Sequence, residues 1–246
     1  MRCIFSLLIM IPLFINAQEF DYLPAPVGNN QIQDYSQFTI SYNEKHEQPD
    51  WVAYSLDSLE ASSEGERCNC FRSDERIISR TASTNDYTST GFDRGHLAPS
   101  ADNLMSEGAN AESFLMSNIS PQLPALNRVL WADLEKWVRL KAKAHQVVYV
   151  VTGPIFEPNL GVIGNNEVTI PAYFYKVLLR FDGPNNTNPK TIGFILPNLA
   201  PIGEIKDYMV PVNAVETLTN LDFFPELPDH IENRAESQFE ARTWNF

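Results

Sequence analysis

The sequence has 246 residues, 43% of them hydrophobic, enough for one sizeable core, with no low-complexity break to divide it. Its 18 Lys and Arg against 31 Asp and Glu give a formal net charge of −13, which argues against a protein that grips phosphates with its whole surface. Only four histidines occur, at 46, 96, 145 and 230, and none pair at helical or short-loop spacing, so zinc-type clusters are excluded.

Arg2 gives a short positive start, Cys3 to Ile15 is almost wholly apolar, and Ile15-Asn16-Ala17 offers a small residue for cleavage. This pattern predicts a signal peptide over 1–17, and a secreted or periplasmic chain that starts at Gln18. The apolar run is too short to span a bilayer and no later stretch serves as an anchor. Residues 18–246 are then expected to form one domain. Cleavage removes Cys3 and leaves Cys68 and Cys70, which read equally as two free thiols or as a local disulfide.

Gln18 to about Glu66 is polar and acidic, with Phe38–Tyr42 alternating like a strand and Trp51–Leu56 as its partner. A Ser/Thr/Asn-rich stretch over 81–90 leads to Gly91-Phe92-Asp93-Arg94-Gly95-His96-Leu97-Ala98-Pro99. Gly95 and Pro99 forbid a continuous helix there, so His96 belongs on a strand or turn. Asn127 to about Ala144 lacks Gly and Pro and places Leu130, Leu134, Trp137 and Leu140 at helical spacing, with Lys141 and Lys143 suiting its C-terminal end. Gln146–Thr152 reads as a central strand closed by a Gly153-Pro154 turn, and 169–181 and 191–196 continue the strand pattern. The fold class is therefore α+β, a mainly antiparallel sheet with helices packed against it.

The acidic excess is uneven: residues 67–143 carry ten Lys and Arg against nine Asp and Glu, and hold every candidate below. His96 follows Arg94 and Gly95, which puts a cationic phosphate-binding group, a compact backbone and a titratable base on one small surface. A lone histidine is more often structural, so the fragment alone does not decide its role. Asn127, Trp131 and Glu135 are four apart and share a helical face. The Asn127 amide oxygen is a hard, neutral ligand suited to Mg²⁺, although asparagine also caps helices, and both readings stay open. Glu135 lies about 12 Å further along the axis, too far for the same ion, and suits an ion pair with Arg67 or Arg94 or a contact through water.

Asp93-Arg94-Gly95-His96-Leu97-Ala98-Pro99, followed by Asn118-x-x-Pro121-Gln122, Asn127, Trp131 and Glu135, resembles the DNA/RNA non-specific endonuclease family. The similarity continues through Thr152–Phe156, Ile170–Lys176, Leu196–Asn198 and Leu221–Pro225, and so spans roughly residues 50–226. The resemblance implies a ββα-metal nuclease core, in which a hairpin bearing the histidine packs on a helix bearing the metal-binding asparagine. It implies His96 as general base, Asn127 as the protein ligand of Mg²⁺ (or of Mn²⁺ or another divalent cation), and Arg94 at the active-site phosphate. Asn118 and Glu135 match further site residues. The family's upstream arginine matches Arg67, with Arg72 the alternative. Asp93 is expected to hold the turn through backbone hydrogen bonds.

The implied activity is Mg²⁺-dependent hydrolysis of DNA and RNA to 5′-phosphate products. The substrates are the expected partners; a homodimer and an inhibitor protein stay open. Two rivals remain: an inactive nuclease fold that only binds nucleic acid or a partner, disfavoured because each matched position holds a competent residue, and a zinc hydrolase, which lacks ligands.

Overall fold

The computed structural model describes residues 20–182, 188–239 and 241–244. The expected signal peptide lies outside the described residues. A seven-stranded, wholly antiparallel sheet organises the chain. It comprises β1 (Gln31–Asp34), β2 (Thr39–Asn43), β3 (Gln48–Asp57), β6 (Val147–Ile155), β9 (Tyr173–Asp182), β10 (Asn188–Pro197) and β11 (Met209–Val210), in that spatial order. Two short strand pairs stand apart from it: β4 (Asp93–His96) with β5 (Ile119–Gln122), whose connection carries α1 (Glu107–Ser113), and β7 (Val162–Ile163) with β8 (Val168–Thr169).

Both faces of the sheet are covered, which is why β6 reads as an unbroken β-branched run rather than an alternating one. On one face Val52, Tyr54, Val148, Val150, Phe174, Leu178 and Phe194 pack against Leu134, Val138 and Ala142 of α2 (Ala132–His145). On the other, Trp51, Val151, Tyr175 and Val177 meet Val212 and Val215 of α3 (Val212–Thr219) and the pair Phe223 and Phe224. Each such fully buried side chain contributes about 1.5–3 kcal/mol. A third cluster, including Tyr87, Met116 and Ile119, supports the β4–β5 hairpin. Trp244, in a turn after α4 (Asp229–Glu236), is also fully buried in the α2-side core.

The expected β2–β3 pairing is present, with Ile40 opposite Val52. Two local expectations are corrected. Gly153-Pro154 is no turn: β6 runs through both to Ile155, paired with Tyr175 and Phe174. A Cβ on Gly153 would lie 2.3 Å from the Asp50 carbonyl oxygen, so this glycine serves a close approach of strands. Leu140 is 53% exposed, because Val138 and Ala142 carry the buried face instead. The helix itself begins as expected near Asn127, but its first turn, Leu126–Trp131, is a π-helix that passes directly into α2. Such turns often mark functional sites.

Candidate active site

The site is built on β4, β5 and the helix that carries Asn127, a ββα arrangement. Gly95 is required where the two strands meet: a Cβ there would lie 2.2 Å from Gln122 Oε1 and 2.8 Å from Gln122 Cβ. Past the hairpin, Leu97 N–H donates to Asn118 O at 3.0 Å. The Asn118 side chain, fully buried, completes the clamp: Oδ1 accepts from Ala98 N–H at 2.9 Å, and Nδ2 donates to Ala98 O at 2.9 Å and Ser113 O at 2.8 Å. Its amide is occupied by backbone, so Asn118 fixes the strand that ends in His96. Asn198 secures the next corner, donating to Pro121 O and Pro171 O and accepting from Leu123 N–H.

His96 is 7% exposed, and its Nε2 has no hydrogen-bond partner. Phe114 stands edge-on to the imidazole at 4.7 Å, and Phe71 lies tilted at 5.4 Å. Each phenylalanine carries an arginine on its ring face, Arg67 over Phe114 at 4.7 Å and Arg94 over Phe71 at 4.6 Å. The result is a neutral imidazole between two aromatic rings, flanked by two exposed guanidinium groups. Burial, aided by the charge of Arg67, pushes the His96 pKa down to about 3. Neither phenylalanine carried a sequence signal, since each reaches His96 only through the fold.

Asp93 departs from its expected role. Its carboxylate accepts from Asn127 Nδ2 at 2.9 Å and from Arg128 Nε and a terminal nitrogen at 2.8 and 2.6 Å, joining hairpin to helix rather than holding a turn. These partners hold the Asp93 pKa below the usual carboxylate range, Arg128 foremost. Asn127 is not a helix cap, because its side chain goes to Asp93 while its backbone N–H bonds Leu123 O. With Nδ2 committed, Oδ1 is the end left to accept. Among the described residues no three His, Cys, Asp or Glu side chains gather as a metal site. A cation at Asn127 would therefore keep most of its waters, which fits a hard ion such as Mg²⁺.

Glu135 lies deeper, in a charge network the sequence did not reveal. Lys176 on β9 is fully buried, its ammonium 4.9 Å over the Trp131 ring. Arg139 donates to Asp102 at 2.7 Å, and Tyr54 donates to the same carboxylate at 3.0 Å. Burial raises the Glu135 pKa against the opposing charges of Lys176, Arg139 and Arg67. Burial lowers the Arg67 pKa and the charge of Glu135 opposes that shift, an electrostatic link to Arg67 rather than the expected ion pair. Arg72 points elsewhere: its side chain donates to Ala111 O and its backbone bridges Leu115. Of the two arginines, Arg67 is the one whose guanidinium stands over Phe114 beside His96. Cys68 and Cys70, left open by the sequence, are joined in a disulfide.

Known proteins resemble this chain in sequence and fold. Human mitochondrial endonuclease G is 33% identical over 215 residues, 81% of this chain and 71% of its own length. The zebrafish (Danio rerio) mitochondrial nuclease EXOG is 35% identical over 217 residues, 82% of this chain and 63% of its own length. A crystal structure of the EndoG/EndoGI complex, described as showing the mechanism of EndoG inhibition, superposes with a TM-score of 0.77 at 29% identity, covering 83% of this chain and 89% of that one. Residues 16–230 match the family described as DNA/RNA non-specific endonuclease. With its His96 hairpin packed on the Asn127 helix, this chain belongs to the DNA/RNA non-specific endonuclease family.

Proposed function

We propose that residues 18–246 act as an exported endonuclease that hydrolyses DNA and RNA, with His96 as general base and Mg²⁺ held through Asn127. One observation carries this reading: a buried imidazole with a free Nε2, held neutral between Phe71 and Phe114 and flanked by Arg67 and Arg94. His96 accepts the proton of the attacking water on its imidazole. An incoming phosphodiester opposes the field of Arg67, so the basicity of His96 rises when substrate is in place.

Arg94 and Arg67 hold the non-bridging oxygens, and these contacts carry no base information, so cleavage is sequence-tolerant. Asp93 engages Asn127 Nδ2, so Oδ1 would be the atom that holds a cation. When bound, the divalent cation stabilises negative charge developing on the phosphate and on the leaving 3′ oxygen. In-line attack then leaves 5′-phosphate ends. Mn²⁺ can replace Mg²⁺ at a site with so few protein ligands.

Export rests on the N-terminal pattern. The relatives named above are mitochondrial, but a mitochondrial transit segment is Arg-rich and amphipathic, whereas this chain has one arginine before a continuous apolar run. Among the described residues no helix is long and apolar enough to cross a membrane.

Plasmid DNA and ribosomal RNA incubated with the purified protein test the activity. Both should be degraded with Mg²⁺ and neither with EDTA. Binding without cleavage in Mg²⁺ would contradict the reading and favour an inactive binding module.

A further inference from the structure

We propose that Asn69, held at the apex of the Cys68–Cys70 disulfide, positions Arg67 at the active site, so that a thiol reductant that opens the bridge weakens the nuclease. The proposal rests on the site assignment above.

The bridge joins cysteines whose Cα atoms are 5.2 Å apart across a single residue. A ring this small leaves its middle residue few conformations. Asn69 has φ +50°, the left-handed region that asparagine enters more readily than other residues with a side chain. From there its Oδ1 accepts from Arg67 Nε at 3.0 Å. Fixing Nε orients the rest of the planar guanidinium, whose two terminal nitrogens form the fork that matches a phosphate. The same guanidinium sits on Phe114, which stands edge-on to His96.

Both ends of the loop are anchored without the bridge. Cys68 N–H donates to Asn110 Oδ1 at 3.0 Å, and Arg72 pairs with Leu115 beyond Phe71. What the disulfide alone secures is the apex, Asn69, and through it the direction of Arg67. Arg67, Cys68 and Asn69 are exposed, so a dithiol has access. Its thiolate attacks one sulfur to give a mixed disulfide, and its second thiol completes the exchange. Cys68 and Cys70 gain two electrons and two protons, while the dithiol becomes a cyclic disulfide. The apex then leaves the left-handed conformation, and Arg67 loses its Nε anchor and keeps only the Phe114 ring to hold it.

The test compares the oxidised protein with and without dithiothreitol, alongside Asn69→Ala, Asn69→Asp and the double variant Cys68→Ser/Cys70→Ser. Reduction and Asn69→Ala should each lower kcat/KM about tenfold, the worth of one charge-assisted hydrogen bond. Asn69→Asp should retain most of the activity, since its carboxylate accepts the same Nε–H, and dithiothreitol should not change the double variant further. A kcat/KM that stays within about twofold on reduction, or in Asn69→Ala, overturns the proposal. The Arg67 Nε–H resonance of arginine-labelled protein provides a readout independent of activity. It should be slow to exchange when the bridge is oxidised and fast when reduced. An unchanged exchange rate overturns the positioning role, whereas an inactive oxidised protein overturns the functional assignment instead.

Discussion

Replacing Asn118 with alanine separates two roles that family resemblance alone cannot distinguish, substrate contact and support of the histidine strand. The side chain is fully buried and serves three backbone groups, Ala98 N–H, Ala98 O and Ser113 O, at 2.8–2.9 Å. Each buried group left without a partner costs about 1–3 kcal/mol, and partial relaxation brings the whole to about 3–5 kcal/mol. That is a large share of an ordinary stability of about 5–15 kcal/mol. With a urea m-value of about 2–3 kcal/mol per molar, the unfolding midpoint should fall by about 1–2 M. Urea titration followed by circular dichroism measures the loss, and cleavage assayed well below the new midpoint shows what activity the folded fraction keeps. An unchanged midpoint with a depressed kcat would refute the argument, because Asn118 would then be touching substrate.

Three further outcomes follow from the same geometry. Gly95→Ala forces a methyl group against Gln122, which should cost about 1–3 kcal/mol in thermal or urea unfolding and lower activity by shifting β4; a variant as stable and active as the parent would contradict the close approach. Asp93→Ala frees Asn127 from its orienting hydrogen bond, so the Mg²⁺ concentration for half-maximal cleavage should rise, and Asn127→Ala should raise it at least as much; equal Mg²⁺ titrations in all three proteins would remove Asn127 from the metal site. Because the folded pKa of His96, about 3, lies below its unfolded value of about 6.5, the unfolded chain binds the proton first as pH falls. Stability should therefore drop between pH 6.5 and 3, by up to about 2 kcal/mol at pH 5, relative to His96→Gln. A stability difference that stays flat between pH 7.5 and 5 would contradict the burial argument.

The strand setting of His96 was legible because Gly95 and Pro99 exclude a helix through it, and the Asn127 helix was legible because nothing in 127–144 breaks one. The β2–β3 pairing likewise followed from short-range alternation. What sequence reasoning missed depends on groups far apart in the chain. Gly153 looks like a turn residue until the Asp50 carbonyl is brought against it, and Asp93 looks like a turn residue until Asn127 and Arg128 arrive from the helix. Phe71 and Phe114 gave no chemical signal at all, yet they create the apolar cage that lowers the pKa of His96. Lys176 sits in the strand pattern of 169–181, and only the fold supplies its burial together with the Trp131 ring and the Glu135 charge. The overall acidity was misleading for a simple reason: the near-neutral segment 67–143 holds the candidate site residues, and most of the acidic excess lies outside it.

The general-base role of His96 is tested most directly by chemical rescue of His96→Ala. Plasmid nicking is followed over a range of imidazole concentrations at constant ionic strength and Mg²⁺, with a non-basic azole as control. Loss of a positioned general base should lower the rate by about 10²–10⁴-fold. Free imidazole, entering the space between Phe71 and Phe114, should restore part of that rate, and the restored part should grow with pH as more imidazole is neutral. A folded, Mg²⁺-binding His96→Ala protein that cuts at the parent rate without imidazole would contradict the account.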